Sequence, residues 1–160
     1  MKALIQRVDR ASVSVDGEVK GQIGNGLLIF LGVTEADTEK EVTMLVDKIT
    51  KLRIFSDEND KTNCSIQDVG GAMLVISQFT LCADCRKGTR PSFSHAAKPE
   101  EANRLYELFI AGCRKTVSQV ESGVFGAHMQ VDILNHGPFT VILDTDDLKK
   151  PRNAKGDAYE

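Results

Sequence analysis

"GLLIFLGV", residues 26–33, is an unbroken apolar run set between the turn residues Gly24-Asn25 and a polar segment. Its length is that of a strand. A strand without polar alternation has both faces buried, so structure must cover it on either side. "AMLVISQF", residues 72–79, reads the same way but ends in polar side chains. Two such strands call for a layered domain in which a central sheet is covered twice.

The flanking segments supply the covers. "KALIQRV" (2–8) and "ASVSVDGEVKGQI" (11–23) alternate as strands, and Asp16-Gly17 is a hairpin turn pair. Residues 38–51 switch to helical spacing, with Val42, Leu45, Val46 and Ile49 on one face. "KLRIF" (51–55) reads as a short strand and "SDENDKTN" (56–63) as a polar turn. Pro99 suits the first turn of a second helix, expected to run to about Val120 with Leu105, Leu108, Phe109 and Val117 buried. "AHMQVDIL" (127–134) and "FTVILDT" (139–145) read as two strands joined by a turn at "NHGP" (135–138). The order is βββ-α-ββ-α-ββ with short connections, which predicts an α+β fold rich in antiparallel pairs. Residues 1–145 are expected to form one domain, and the polar stretch from 146 to 160 a surface tail.

Bulk properties narrow the function. Of 160 residues, 41% are hydrophobic and 27% charged, ordinary values for a globular protein. No apolar run reaches the roughly 18–20 residues of a membrane helix. The amino-terminal stretch alternates and carries charge, unlike a signal peptide. Four scattered cysteines (64, 82, 85 and 113) do not make a disulfide scaffold and suit a reduced, cytoplasmic protein. A formal charge of −3 speaks against a broad nucleic-acid face, though not against contact with one end of an RNA. Two basic clusters remain, Arg86, Lys87 and Arg90, then Lys149, Lys150, Arg152 and Lys155; taken alone, each reads as solvated surface charge.

Chemical candidates are few. Cys82 and Cys85 form a C-x-x-C, but a structural zinc needs four ligands. Cys113 falls beside an apolar helix face, and Cys64 has no second ligand near it in sequence. The pair also precedes an irregular loop and not a helix, so the setting of a redox dithiol is missing. His95, His128 and His136 are the only histidines, and no nucleophile-elbow or phosphate-loop motif is present. What stands out is polar strand ends: Ser77, Gln78 and Thr80 close one buried strand, and Asn135-His136-Gly137-Pro138 lies between two others. Either group also reads as ordinary turn chemistry.

Taken together, "SQFTL" (77–81) followed by "AD" and "KGTRPSF" (87–93), and then "NHGPFT" (135–140), resemble the two signatures of the D-aminoacyl-tRNA deacylase family, and "MKALIQRV", "LLIFLGV" and "KLRIF" also resemble that family. The resemblance spans about residues 1–145. It implies a three-layer β/β/α sandwich with largely antiparallel sheets. It also implies a cytoplasmic homodimer, without cofactor or metal, that hydrolyses the ester of D-aminoacyl-tRNA and of glycyl-tRNA and spares L-aminoacyl-tRNA.

By position, Ser77, Gln78, Phe79 and Thr80 are then expected to line the pocket for the terminal adenosine and the scissile ester. Backbone N–H groups at Phe79 and Thr80 would stabilise the oxyanion, with Thr80 a positioning group and the ribose 2′-hydroxyl assisting. Gly137-Pro138 matches a Gly–cis-Pro element that enters the partner subunit's site and excludes L side chains, with Asn135 beside it and Arg7 holding it. Arg86, Lys87, Arg90, Lys149 and Lys150 are the expected phosphate contacts. Cys82 and Phe139 depart from the family pattern, standing where an aromatic and a smaller residue are usual. Two rival readings are a non-catalytic tRNA- or protein-binding module of the same fold, and a zinc or dithiol protein using Cys82 and Cys85.

Overall fold

The run at 26–33 forms strand β3 (Gly26–Gly32), and the second run forms β6 (Ala72–Ser77), paired with it in parallel. The computed structural model describes residues 1–151, so Arg152 and Lys155 lie outside the described residues. Alternate side chains of β3 and β6 enter two separate cores. Leu27, Ile29, Leu31, Met73 and Val75 face one, while Leu28, Ala72, Leu74 and Ile76 face the other.

Helices fill the first core. α1 (Glu39–Thr50) contributes Val42, Leu45 and Ile49, and α2 (Pro99–Cys113) contributes Leu105, Tyr106 and Phe109. Each fully buried aliphatic side chain of this kind stabilises the fold by about 1.5–3 kcal/mol. The second core is closed by β1 (Lys2–Val15) and β2 (Glu18–Ile23), whose Ala11, Val13 and Ile23 fold over β3 and β6. Two β layers and one helical layer result.

A change of phase in β1 makes this cover possible. Ala3 and Ile5 face the helices, and Val8 faces the second core, as alternation demands. Beyond it the second core receives Ala11 and Val13, odd residues in place of even ones. The switch falls at Asp9, a residue of β1 with no counterpart on the neighbouring strand β8 (Gln130–Asp144): Val8 pairs with Asn135 and Arg10 with Leu134. One extra residue inverts the pleat and bends the strand. Asp16 and Gly17, with φ of 50° and 78°, then form the expected tight hairpin into β2.

The main sheet runs β2-β1-β3-β6-β7, with β7 (Val120–Ser122) at one end and β8 pairing β1 on its other side. β1 is antiparallel to β2, β3 and β8; β6 is parallel to β3 and β7, with α1 and α2 in the crossovers.

Several expectations are corrected. "NHGP" is not a hairpin turn, because residues 130–144 form one strand that runs antiparallel to β1 throughout, with a bulge in its middle. α2 ends at Cys113; Val117 is buried outside the helix, Val120 begins β7, and Leu108 is 37% exposed. The apolar spacing that continues past Cys113 belongs to the chain docking back onto β6. "KLRIF" contributes only its last residue to β4 (Phe55–Ser56), whose partner β5 (Thr62–Cys64) begins within the expected polar turn. The first residues beyond 144 form α3 (Thr145–Leu148): Thr145 is fully buried and accepts from the Met1 ammonium at 2.7 Å, and Leu148 packs on the first core.

Lys149, after α3, is tied to α1. It pairs with Glu41 at 2.8 Å, and Glu41 also completes a capping box with Thr38. These bonds, Lys149 first and Thr38 second, hold the Glu41 carboxyl at about 2, against 4.5 ordinarily. A pKa depressed by folding stabilises the protein fully above about pH 4.5, and that contribution is lost as pH falls toward 2. With Lys149 partly in solvent, the contribution is about 1–3 kcal/mol. Melting temperatures of wild type and Glu41→Gln should therefore differ most near neutrality and converge below pH 3. A constant difference across that range would assign the effect to packing instead.

Candidate active site

β6 ends at Ser77, and the chain turns at once into a 3-10 turn, Phe79–Cys82, anchored by the Gln78 N–H donating to Leu31 O at 2.8 Å. Gly32 permits this close approach. A Cβ there would lie 3.0 Å from Leu81 Cβ and 3.1 Å from Gln78 O. The first N–H to close the turn belongs to Leu81, donating to Gln78 O at 3.2 Å. Among the described residues, the N–H groups of Phe79 and Thr80 have no hydrogen-bond partner, and both residues are exposed. Two adjacent free donors at a strand end can receive a developing negative charge on oxygen.

The Thr80 hydroxyl accepts a hydrogen bond from the Gln78 side-chain amide. A donor on its oxygen makes that hydroxyl a poorer nucleophile. No histidine or carboxylate among the described residues is hydrogen-bonded to it.

Beside these groups lies a cavity of about 540 Å³ lined largely by apolar side chains. Ser77, Gln78 and Phe79 form one wall, and Val33, Phe125 and Met129 belong to the others. Phe79 is 55% exposed and meets Phe93 edge-to-face, with centroids 5.0 Å apart. Such a slot suits a flat, weakly polar ring. Phe93, Phe125, Met129 and His128 join the site without being among the residues expected there. Phe125 sits in the irregular segment between β7 and β8, and so does Met129, since the strand expected from 127 begins only at Gln130.

Phe93 is brought there by the basic loop. Asp84 and Ser92 close it with paired backbone bonds of 2.7 and 2.9 Å, so residues 85–91 form a tip. Arg86 turns back onto Asp84, 2.6 Å away, and holds that carboxyl well below the usual range. Lys87 and Arg90 are exposed and make no ion pair among the described residues. Of the second cluster, Lys149 is paired with Glu41 and Asp146, and Lys150 with Asp147 at 2.6 Å.

The Gly-Pro element is elsewhere. Gln6 pairs with Thr140 and Val8 with Asn135, so Arg7 alone opposes residues 136–139. Those residues bulge from the ladder, and the Gly137-Pro138 bond within them is cis. The Arg7 side chain is buried and donates to His136 O and Gly137 O, both at 3.2 Å, and to Ile54 O at 2.8 Å. Its guanidinium stacks 4.5 Å from the centroid of the Phe139 ring. Asn135 closes the base of the bulge, its amide donating to Arg7 O at 2.9 Å and Phe139 O at 3.3 Å.

The two motifs do not meet within one chain. Ser77 is level with Leu31 and Ala3, and the bulge is level with Arg7, four residues along β1. β8 and β6 are also separated by β1 and β3. Strand spacing and rise put the motifs on the order of 20 Å apart along the sheet.

The thiols are dispersed. All four are free: Cys113 is buried in the first core, Cys64 packs against it, and Cys82 is buried while Cys85 is exposed. Burial pushes the Cys82 thiol up and Cys113 up to about 12, which leaves both unreactive. Among the described residues, no group of three or more metal-binding side chains is assembled, and no helix is long and apolar enough to cross a membrane.

A sequence model of the D-Tyr-tRNA(Tyr) deacylase family matches residues 4–144, taking in both motifs and the strands that carry them. The chain belongs to this family. It is 55% identical over 155 residues to a D-aminoacyl-tRNA deacylase of Dictyoglomus turgidum, covering 97% of this chain and 99% of that one. It is 56% identical over 154 residues to a D-aminoacyl-tRNA deacylase of Chloroflexus aurantiacus, with 96% of each covered. Among solved structures, a protein described as c-Myc DNA Unwinding Element Binding Protein superposes with a TM-score of 0.86 at 44% identity, over 90% of this chain and 98% of its own. A probable eukaryotic D-amino acid tRNA deacylase superposes at 0.78 with 16% identity, over 89% and 97%, a likeness of fold alone. The deacylase fold, with its curled sheet and separate helical layer, is the architecture described above.

Proposed function

We infer that this chain is an ester hydrolase that cleaves D-aminoacyl-tRNA to free D-amino acid and tRNA, a proofreading step of translation, as its family membership indicates. The observation that carries the mechanism is the pair of free N–H groups at Phe79 and Thr80 beside an apolar cavity. The terminal adenine enters the cavity, and the ester carbonyl points at the two N–H groups. Removing one such donor typically costs about 2.7–4 kcal/mol of barrier.

Thr80 positions and the substrate's ribose 2′-hydroxyl assists, since the Gln78 amide already occupies the Thr80 oxygen. Lys87 and Arg90 are the phosphate contacts of first choice, because among the described residues their charges are unpaired, whereas Lys149 is tied to Glu41 and Lys150 to Asp147.

The active form is a homodimer. The Gly137-Pro138 bulge and the Ser77–Thr80 turn are too far apart in one chain to share a substrate. β8 is an outer strand, fifteen residues long, with Ile133 and Leu134 each 41% and Ile142 72% exposed. A long apolar edge of this kind is covered in a stable protein. Set against a second copy, it would place the bulge of one subunit at the turn of the other, where it would exclude an L side chain and admit a D side chain or glycine.

The deciding experiment is single-turnover deacylation of matched D-Tyr-tRNA and L-Tyr-tRNA. Release from the D-substrate alone supports the reading, and release from neither supports a binding module. With the same assay, a D-Tyr-tRNA ending in 2′-deoxyadenosine should lose at least about 100-fold in rate, whereas Thr80→Ala should lose about tenfold. Abolition by Thr80→Ala, with the deoxy substrate still cleaved, would make Thr80 the nucleophile.

A further inference from the structure

Two bulges face each other across β1 and β8, and one contact joins them. β8 carries the excess at residues 136–139, and β1 carries its own single extra residue, Asp9, one place further on. Squeezed out of the ladder, the Asp9 carboxylate lies 2.8 Å from His136 Nδ1. Both side chains are about half exposed, so the pair adds little to global stability.

Its leverage is local. The carbonyl of His136 is held by Arg7 Nε while its ring is held by Asp9, so the residue preceding Gly137 is pinned at both ends. Pinning it sets the direction in which the next peptide leaves. Residues 136–138 are exposed, and a Cβ built on Gly137 would meet nothing within 4 Å. Within the chain the tip is therefore held by hydrogen bonds and not by packing: Arg7 donates to Gly137 O as well as to His136 O, and Asp9 holds the His136 ring.

We propose that Asp9 and His136 are a positioning pair that aims the Gly137-Pro138 element and so sets how strictly L-aminoacyl-tRNA is rejected. This rests on the deacylase reading and on the role given there to the bulge. The imidazole, in the tautomer with a proton on Nδ1, donates to the carboxylate; loss of either partner frees the ring and leaves this stretch held by the Arg7 bonds to the His136 and Gly137 carbonyls alone, so that the direction of the tip is less narrowly fixed. The expected consequence is a looser filter with an unchanged pocket for the adenosine.

The experiment compares kcat and KM for D-Tyr-tRNA and L-Tyr-tRNA in wild type, Asp9→Ala, His136→Ala, the double variant and His136→Asn. Each single variant should lower the D-over-L ratio of kcat/KM by about tenfold, the size of an ordinary coupling between touching side chains. KM for the D-substrate and the melting temperature should stay put. The double variant should match the singles, and His136→Asn, which keeps a donor, should recover most of the ratio. An unchanged ratio in the singles, or losses that multiply in the double variant, would overturn the pairing. Failure of the unsubstituted protein to cleave D-Tyr-tRNA would overturn the deacylase reading itself, and is seen before any variant is made.

Discussion

Arg7→Ala should lower kcat/KM for D-Tyr-tRNA by at least about 100-fold, the penalty for displacing a positioned group by roughly an ångström. Arg7 is a single buried residue facing a four-residue bulge, and its guanidinium ties the carbonyls of His136 and Gly137 to that of Ile54. Truncation leaves three acceptors without their donor, and Phe139 without the cation that covers its ring. Each acceptor stranded in a buried place costs about 1–3 kcal/mol. With the bulge free to turn toward solvent, the total should be about 2–4 kcal/mol, and the melting temperature should fall accordingly.

Arg7→Lys separates the two effects. A lysine keeps the charge and most of the packing, but a point donor cannot span three carbonyls as a planar fork does. Its stability should recover at least half of the loss while its rate stays low. Initial rates and thermal melts on the same samples decide the matter. Wild-type rates in Arg7→Ala would show that the Gly137-Pro138 element needs no support from β1.

The difference between what could and could not be read beforehand follows from the range of each interaction. The two-faced strands were legible because Leu27 through Leu31 and Met73 through Ile76 are apolar at every position, and only double burial explains that. The hairpin at Asp16-Gly17 was equally local. The bulge was not. Asn-His-Gly-Pro is good turn chemistry, and nothing nearby tells a turn between two strands from a bulge within one. That depends on β1, whose partners lie more than 120 residues away. The contact of Asp9 with the bulge was invisible for the same reason, and that of Arg7 could be named only from the resemblance. At the other motif, Ser77 to Thr80 could be named from resemblance, but Phe125 and Met129 reach the cavity from an irregular segment. The end of α2 was overrun because Val117 and Val120 continue a helical spacing by accident while serving the sheet.

Gly26→Ala should abolish folding at ordinary temperatures, the largest stability effect expected of any one-carbon change in this chain. Gly26 begins β3 directly beside Ala72, the first residue of β6. A Cβ there would sit 1.9 Å from Ala72 O and 2.8 Å from both Ala72 C and Ala72 N. All three are backbone atoms, so no side chain can rotate away to make room. Relief requires the two central strands to separate at their shared end, where Gly26 also faces Val8 of β1. Both cores depend on that junction, since the strands it joins line each of them. Overpacking in a tolerant core costs about 1–3 kcal/mol. A clash confined to backbone should exceed that range and consume most of the 5–15 kcal/mol that hold an ordinary domain together. Gly24→Ala, whose Cβ meets nothing within 4 Å, is the matched control and should melt within a few degrees of wild type. Circular dichroism melts of the two variants give the comparison. A cooperative melt for Gly26→Ala close to that of Gly24→Ala would mean that β3 and β6 can part at that end without loss of the fold.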